Sequence, residues 1–128
     1  MLVLSHKKLE VYEIAMKLLK AAYDETGKFP KSELFGLVSQ IRRAAVSVCC
    51  NIAEGASRVS RKEKMRFYIV ARSSVVEIDT QLEIARILGY YETSKTDNFE
   101  RYLESVFKLL SKMINNLNAS IDLSANPH

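Results

Sequence analysis

The sequence is poor in residues that interrupt a chain. Its 128 residues include four glycines and two prolines, too few for collagen, a low-complexity linker or a succession of tight turns. Cysteine is equally scarce. Cys49 and Cys50 are adjacent, and neighbours in sequence cannot staple distant segments into a disulfide framework. His6 and His128 stand near the two ends, so no cluster of about four N, S or O ligands for zinc is visible. The paired Glu-x-x-His motifs of a di-iron bundle are missing too. No metal and no cofactor are expected. No apolar run approaches the roughly 20 residues of a membrane span, and Met1-Leu2-Val3-Leu4 is too short for a signal peptide. A reduced chain of this kind is expected in the cytoplasm, away from membranes.

What remains is the balance of a globular domain: 48% hydrophobic and 27% charged residues, with a net charge of +4. The length suits one domain. Apolar residues recur at spacings of three and four, the period of a helix with one buried face. Leu9, Tyr12, Met16, Leu19 and Tyr23 mark a first helix over about 7–26, with Gly27 placed to end it. After the Phe29-Pro30 turn, Ser32 offers an N-cap for a second helix over about 34–58. Leu37, Ile41, Ala44, Ala45, Val48 and Ile52 form its core stripe. Ser60-Arg61-Lys62-Glu63 reads as a capping box opening a third helix over about 61–88, and Gly89 stops it. Thr96 or Ser94 caps a fourth helix over about 97–118, leaving a loose tail at 119–128. No strand pattern competes. The reading is all-α: one domain folded as an antiparallel up-down-up-down four-helix bundle.

Helices two and three carry apolar residues on a second face as well. A four-helix domain has no central helix to hide, so a second apolar face points to another subunit. Val46 and Cys50 on helix two, with Tyr68, Ile69 and Val76 on helix three, are the candidate interface residues.

A polar stripe also runs along helix two. Gln40, Arg43, Ser47, Asn51, Glu54 and Arg58 fall within an arc of roughly 80°. Folding the hairpin about a turn near residue 60 sets Arg43 level with Glu77, and Glu54 level with Arg66. One reading is an active site, with Glu54 as acid or base and the arginines as anion clamps. The other is a buried structural network of Arg43, Ser47, Asn51, Glu54 and Glu77. The network is the stronger reading, because Ser47 has no histidine or lysine at helical reach to activate it. No catalytic residue is expected. Cys49-Cys50 likewise has no base nearby, and reads as small buried hydrophobes.

Charge is concentrated. Residues 42–72 hold eight basic and two acidic side chains, and five of the cations crowd one turn: Arg58, Arg61, Lys62, Lys64 and Arg66. A helix N-terminus there adds free N–H groups and a positive dipole end. The expected ligand is a phosphate backbone, RNA or DNA, and the bland alternative is a solvated turn. No helix-turn-helix, RNA-recognition or zinc-finger motif supports sequence-specific reading.

Gln40-Ile41-Arg42-Arg43-Ala44-Ala45-Val46-Ser47, followed by Asn51-Ile52-Ala53-Glu54-Gly55, resembles the 23S rRNA-intervening sequence proteins. Leu9-Glu10-Val11-Tyr12, Phe29-Pro30, Glu77 with Leu82, and Leu88-Gly89-Tyr90 extend the resemblance over roughly residues 6–118. One departure is Cys49-Cys50, where many relatives carry a proline, so a straighter second helix is expected. The resemblance implies a bacterial cytoplasmic protein with a left-handed four-helix bundle, assembled as a ring-shaped homo-oligomer, usually a pentamer. It also implies kinship with the accessory variability proteins of diversity-generating retroelements, basic pentamers that work with a reverse transcriptase and nucleic acid. Two functions follow as expectations: a non-catalytic nucleic-acid-binding oligomer, or a protein–protein adaptor whose ring docks a partner enzyme.

Overall fold

A computed structural model of the chain describes residues 1–93 and 98–125. Four helices account for most of it: α1 (Glu10–Thr26), α2 (Leu37–Ser57), α3 (Arg61–Ile87) and α4 (Phe99–Ala125). No strand occurs among the described residues, and no helix there is long and apolar enough to cross a membrane.

The helix ends show where local signals prevailed. α1 starts at Glu10, three residues later than expected. Ser5–Lys8 forms a separate 3-10 turn, and Leu9 is extended at φ −69°, ψ 132°. Ser32 does not cap α2, because it sits inside a second 3-10 turn, Lys31–Glu33, and the helix begins only after Gly36. α2 then runs unbroken to Ser57. The Ser60 hydroxyl accepts the Glu63 backbone N–H at 3.3 Å, so the expected cap does open α3. At its other end Gly89 adopts φ +79°, while Tyr90 N–H reaches the Ala85 carbonyl at 2.8 Å and Gly89 N–H the Arg86 carbonyl at 3.1 Å. This Schellman closure needs a residue at positive φ, where glycine is unstrained. The expected caps Ser94 and Thr96 lie outside the described residues.

The fourth helix departs most from expectation. It continues through residues 119–125, which were expected to be loose. Leu110 and Ile114 are buried and Leu117 and Ile121 partly so, so the apolar stripe extends one turn beyond the expected end at Asn118. The Arg61 guanidinium also donates to the Ser120 hydroxyl at 2.6 Å, tying the last turns to the start of α3.

Cross-helix contacts establish the topology. Cys49 reaches the Ala15 carbonyl while Arg42 reaches Thr26. Ser47 meets Ser74. Arg61 meets Ser120 while Arg72 meets Ser111. In the first and last pairs of helices one residue number rises as its partner's falls, which is antiparallel packing. Each helix packs on its chain neighbours, and α1 closes on α4; no diagonal pair packs among the described residues. The core follows this square. Ala15, Leu18, Ala22, Ile41, Val48, Ile52, Ala71, Ile78, Ala85, Phe99, Val106 and Leu110, all almost wholly buried, share one core cluster. Burying a large aliphatic side chain of this kind stabilises the fold by about 1.5–3 kcal/mol.

Candidate nucleic-acid interface

The polar stripe of α2 meets α3 through hydroxyls. Ser47 Oγ and Ser74 Oγ lie 3.0 Å apart. The half-buried Asn51 amide donates to the Ser47 carbonyl at 2.8 Å and to its Oγ at 3.0 Å. The mirror about residue 60 holds for this pair, but the expected ion pair does not form. Arg43 is exposed, and its guanidinium donates to Ser39 Oγ at 3.4 Å; Glu77 is exposed as well. Both residues fall on the solvent side of the hairpin, so water competes for each charge. Glu54 is also exposed rather than part of a buried network. It pairs with Arg58 one turn along at 3.5 Å and accepts a hydrogen bond from the Ser57 hydroxyl at 3.2 Å, while Arg66 lies elsewhere. The chemistry of this stripe is a chain of hydroxyls and one amide, with no titratable base hydrogen-bonded to Ser47 among the described residues.

The basic turn divides into cations held by the fold and cations left free. Lys64 belongs to the first group. Its ammonium donates to the Ala56 carbonyl at 2.9 Å and, beside the Arg58 N–H, to the Gly55 carbonyl at 3.4 Å, capping the end of α2. Arg61 is engaged by Ser120. Arg58 pairs with Glu54 and lies 4.8 Å from the Phe67 ring centroid. Arg66 lies over the same ring at 5.0 Å but makes no hydrogen bond or ion pair among the described residues, and Lys62 makes no such contact either. The sequence reading missed Phe67 as the platform that orients Arg58 and Arg66. Its spacing from Arg58, nine residues across a turn, carries no periodic signal. The site as built has Lys62 and Arg66 free, Arg58 and Arg61 partly committed, and Lys64 structural.

Val46 and Cys50 on α2, and Ile69 and Val76 on α3, are exposed, at 40%, 38% and 49% for the three aliphatic ones, but Val76 lies on the side of α3 that faces α4. Val70 joins them. Tyr68 does not. It is 4% exposed and packs against Gly55, where a Cβ would stand 2.7 Å from its ring. The close α2–α3 approach at this glycine leaves the tyrosine in the core, and burial raises its phenol above the ordinary value. The two cysteines differ sharply. Cys50 is exposed, whereas burial, with a smaller contribution from neighbouring Cys50, pushes the Cys49 thiol up to about 11. That group is a neutral hydrophobe at neutral pH.

No group of three His, Cys, Asp or Glu side chains suited to a metal ion occurs among the described residues. No curated protein matches the chain. A family model does, that of the 23S rRNA-intervening sequence protein, over residues 7–112. Its span begins in the Ser5–Lys8 turn, takes in α1, α2 and α3 whole, and ends inside α4. The match therefore covers the hydroxyl-bridged hairpin, its basic turn and the outer apolar face together, and the chain belongs to the 23S rRNA-intervening sequence protein family.

Proposed function

We propose that this protein is a non-catalytic homo-oligomer that binds the phosphate backbone of RNA or DNA through the turn joining α2 and α3. The observation that carries this reading is the pair of free cations, Lys62 and Arg66, beside the N-terminus of α3, with Arg58 and Arg61 next to them. Phosphate there gains both the side-chain charges and the positive end of the helix. The exposed aliphatic residues Val46, Ile69 and Val76 support self-association, since a closed assembly covers such residues on every subunit. A ring of five, the number implied by the family resemblance, would present the turn five times. Weak contacts so linked act together. The free thiols suit the cytoplasm.

Fluorescence anisotropy with labelled single-stranded RNA and duplex DNA tests the binding, alongside light scattering for the mass. Binding is expected for both nucleic acids and should weaken steeply with salt, at about −0.7 to −0.9 in log–log slope per phosphate neutralised. Replacing Lys62 and Arg66 with Ala should weaken both ligands alike and flatten the slope. An intact oligomer that fails to bind at about 50 mM salt, where electrostatic attraction is strong, would leave the adaptor that docks a partner enzyme as the surviving function.

A further inference from the structure

A groove of about 450 Å³ runs between α3 and α4, on the side of the bundle away from the α1–α2 seam. Val75 and Leu103 form its buried floor, and the exposed Val76 and Phe107 form its walls. Asp79, Glu100 and Glu104 stand on its rim. Glu104 holds Lys108 at 2.7 Å, and Glu100 accepts from the Tyr91 hydroxyl at 2.9 Å. Asp79 has no hydrogen bond or ion pair among the described residues. At the end nearer the basic turn, Arg72 lies 6.0 Å from the Phe107 ring centroid and donates to Ser111. A slot with an apolar floor and a carboxylate rim selects an occupant that is aliphatic along its length and cationic beside it.

The chain itself carries a segment of that composition. Leu2, Val3 and Leu4 are followed by Lys7 and Lys8, with no acid before Glu10. The aliphatic residues precede the first 3-10 turn and are uncovered, Leu2 at 70% and Val3 at 98% exposure. The Lys7 ammonium donates to the Leu2 carbonyl, keeping one cation beside the apolar run. This segment does not reach its own groove, because the Ser5–Lys8 turn that anchors it packs on α1 and α2, across the bundle from the α3–α4 seam.

We infer that residues 2–8 of one copy dock into the α3–α4 groove of a second copy. Leu2, Val3 and Leu4 lie on Val76 and Phe107, and Lys8 faces Asp79. The contact joins two different surfaces, so every copy both gives an arm and receives one. That is the heterologous geometry from which a closed ring is built, whereas one self-complementary face makes only a pair. The inference rests on the self-association proposed above and names the two surfaces, arm and groove, that a ring requires.

The test is a mixed disulfide between copies of the full chain in a Cys50→Ser background. One copy carries Val3→Cys, and the other, distinguished by a mass tag, carries Val76→Cys. Oxidation of the mixed oligomer should give a cross-link between the two masses well above that formed by Val3→Cys with Ile87→Cys, an exposed position at the far end of α3. Asp79→Lys should weaken assembly several-fold, and Lys8→Glu in the same chain should restore it. An oligomer by light scattering that gives no excess cross-link overturns the docking and leaves self-association standing. A monomer overturns both. Charge reversal at Asp79 with no effect on assembly, or without rescue, removes the assigned pairing with Lys8.

Discussion

Gly55 closes the Asn-Ile-Ala-Glu-Gly string, and substituting it by alanine opposes two forces of known sign. Helix propensity favours alanine by about 1 kcal/mol in a helix interior. Packing disfavours it. The new methyl would stand 2.7 and 2.9 Å from Tyr68 Cε1 and Cδ1, and 3.2 Å from the Lys64 carbonyl oxygen. Tyr68 is buried at 4% exposure, so its ring cannot swing into solvent, and the carbonyl belongs to the α3 backbone. Overpacking of this kind costs about 1–3 kcal/mol. The expected net change in Gly55→Ala is a loss of about 1 kcal/mol, or about 3–5 °C in melting temperature for a domain of this size. Urea and thermal unfolding followed by far-UV circular dichroism, at matched protomer concentration, measure it. Gly27→Ala is the control. Its Cβ would meet only the Asp24 and Tyr23 carbonyls, at 3.4 Å each, and its φ of −62° suits alanine. That variant should be unchanged or gain up to about 1 kcal/mol. Adding Tyr68→Leu to Gly55→Ala should give a loss smaller than the sum of the two single losses, because the clash is shared. A Gly55→Ala protein as stable as the parent, or more so, would refute the close approach and leave propensity as the only term.

Other substitutions follow from the same geometry. Lys64→Ala should lower stability by about 0.5–1.5 kcal/mol, since it removes the donor to the Ala56 carbonyl while Gly55 keeps the Arg58 N–H, whereas Lys62→Ala should leave the melting curve unchanged. Thr26→Val should cost about 1–2 kcal/mol in urea unfolding, because the buried hydroxyl that accepts from Arg42 Nε at 2.9 Å is lost. Glu77→Ala should shift stability by less than about 0.5 kcal/mol, as expected for an exposed carboxylate; a large loss would restore the ion pair with Arg43. Intact-mass analysis after brief alkylation should leave buried Cys49 unlabelled in the native protein and label it only after unfolding. With the Cys49 thiol at about 11 in the fold against 9.0 unfolded, the unfolded chain loses its proton first. Stability should therefore fall as pH rises between those values and be unaffected by this group below them, a dependence that Cys49→Ala should flatten.

Apolar spacing alone defined the four helices and the buried stripe of α2, because helical period and a single wet face admit few alternatives over long segments; in α1 the buried face is Val11, Ala15, Leu18 and Ala22, whereas Leu9, Tyr12 and Leu19 are half-buried and Met16 and Tyr23 exposed. Ile41, Val48 and Ile52 are buried as their stripe requires, and Ser60 caps α3 through a bond only three residues long. Ile121 extends the α4 stripe and was legible too, though with a single residue to carry it. The tertiary structure decided what lies at the margin of each stripe. Tyr68 sits about 100° from Phe67 on the helix, and which of the two faces inward depends on how closely α2 approaches at Gly55. Long cations were the least legible, since their reach exceeds the spacing between helices. The same turn sends Lys64 back to cap α2 and Arg61 across to Ser120, and leaves Lys62 and, over the Phe67 ring, Arg66 without a hydrogen bond or ion pair among the described residues. Charge density at the turn is a property of the chain, but which cations remain available to a ligand depends on the carbonyls, hydroxyls and rings that folding places within their reach.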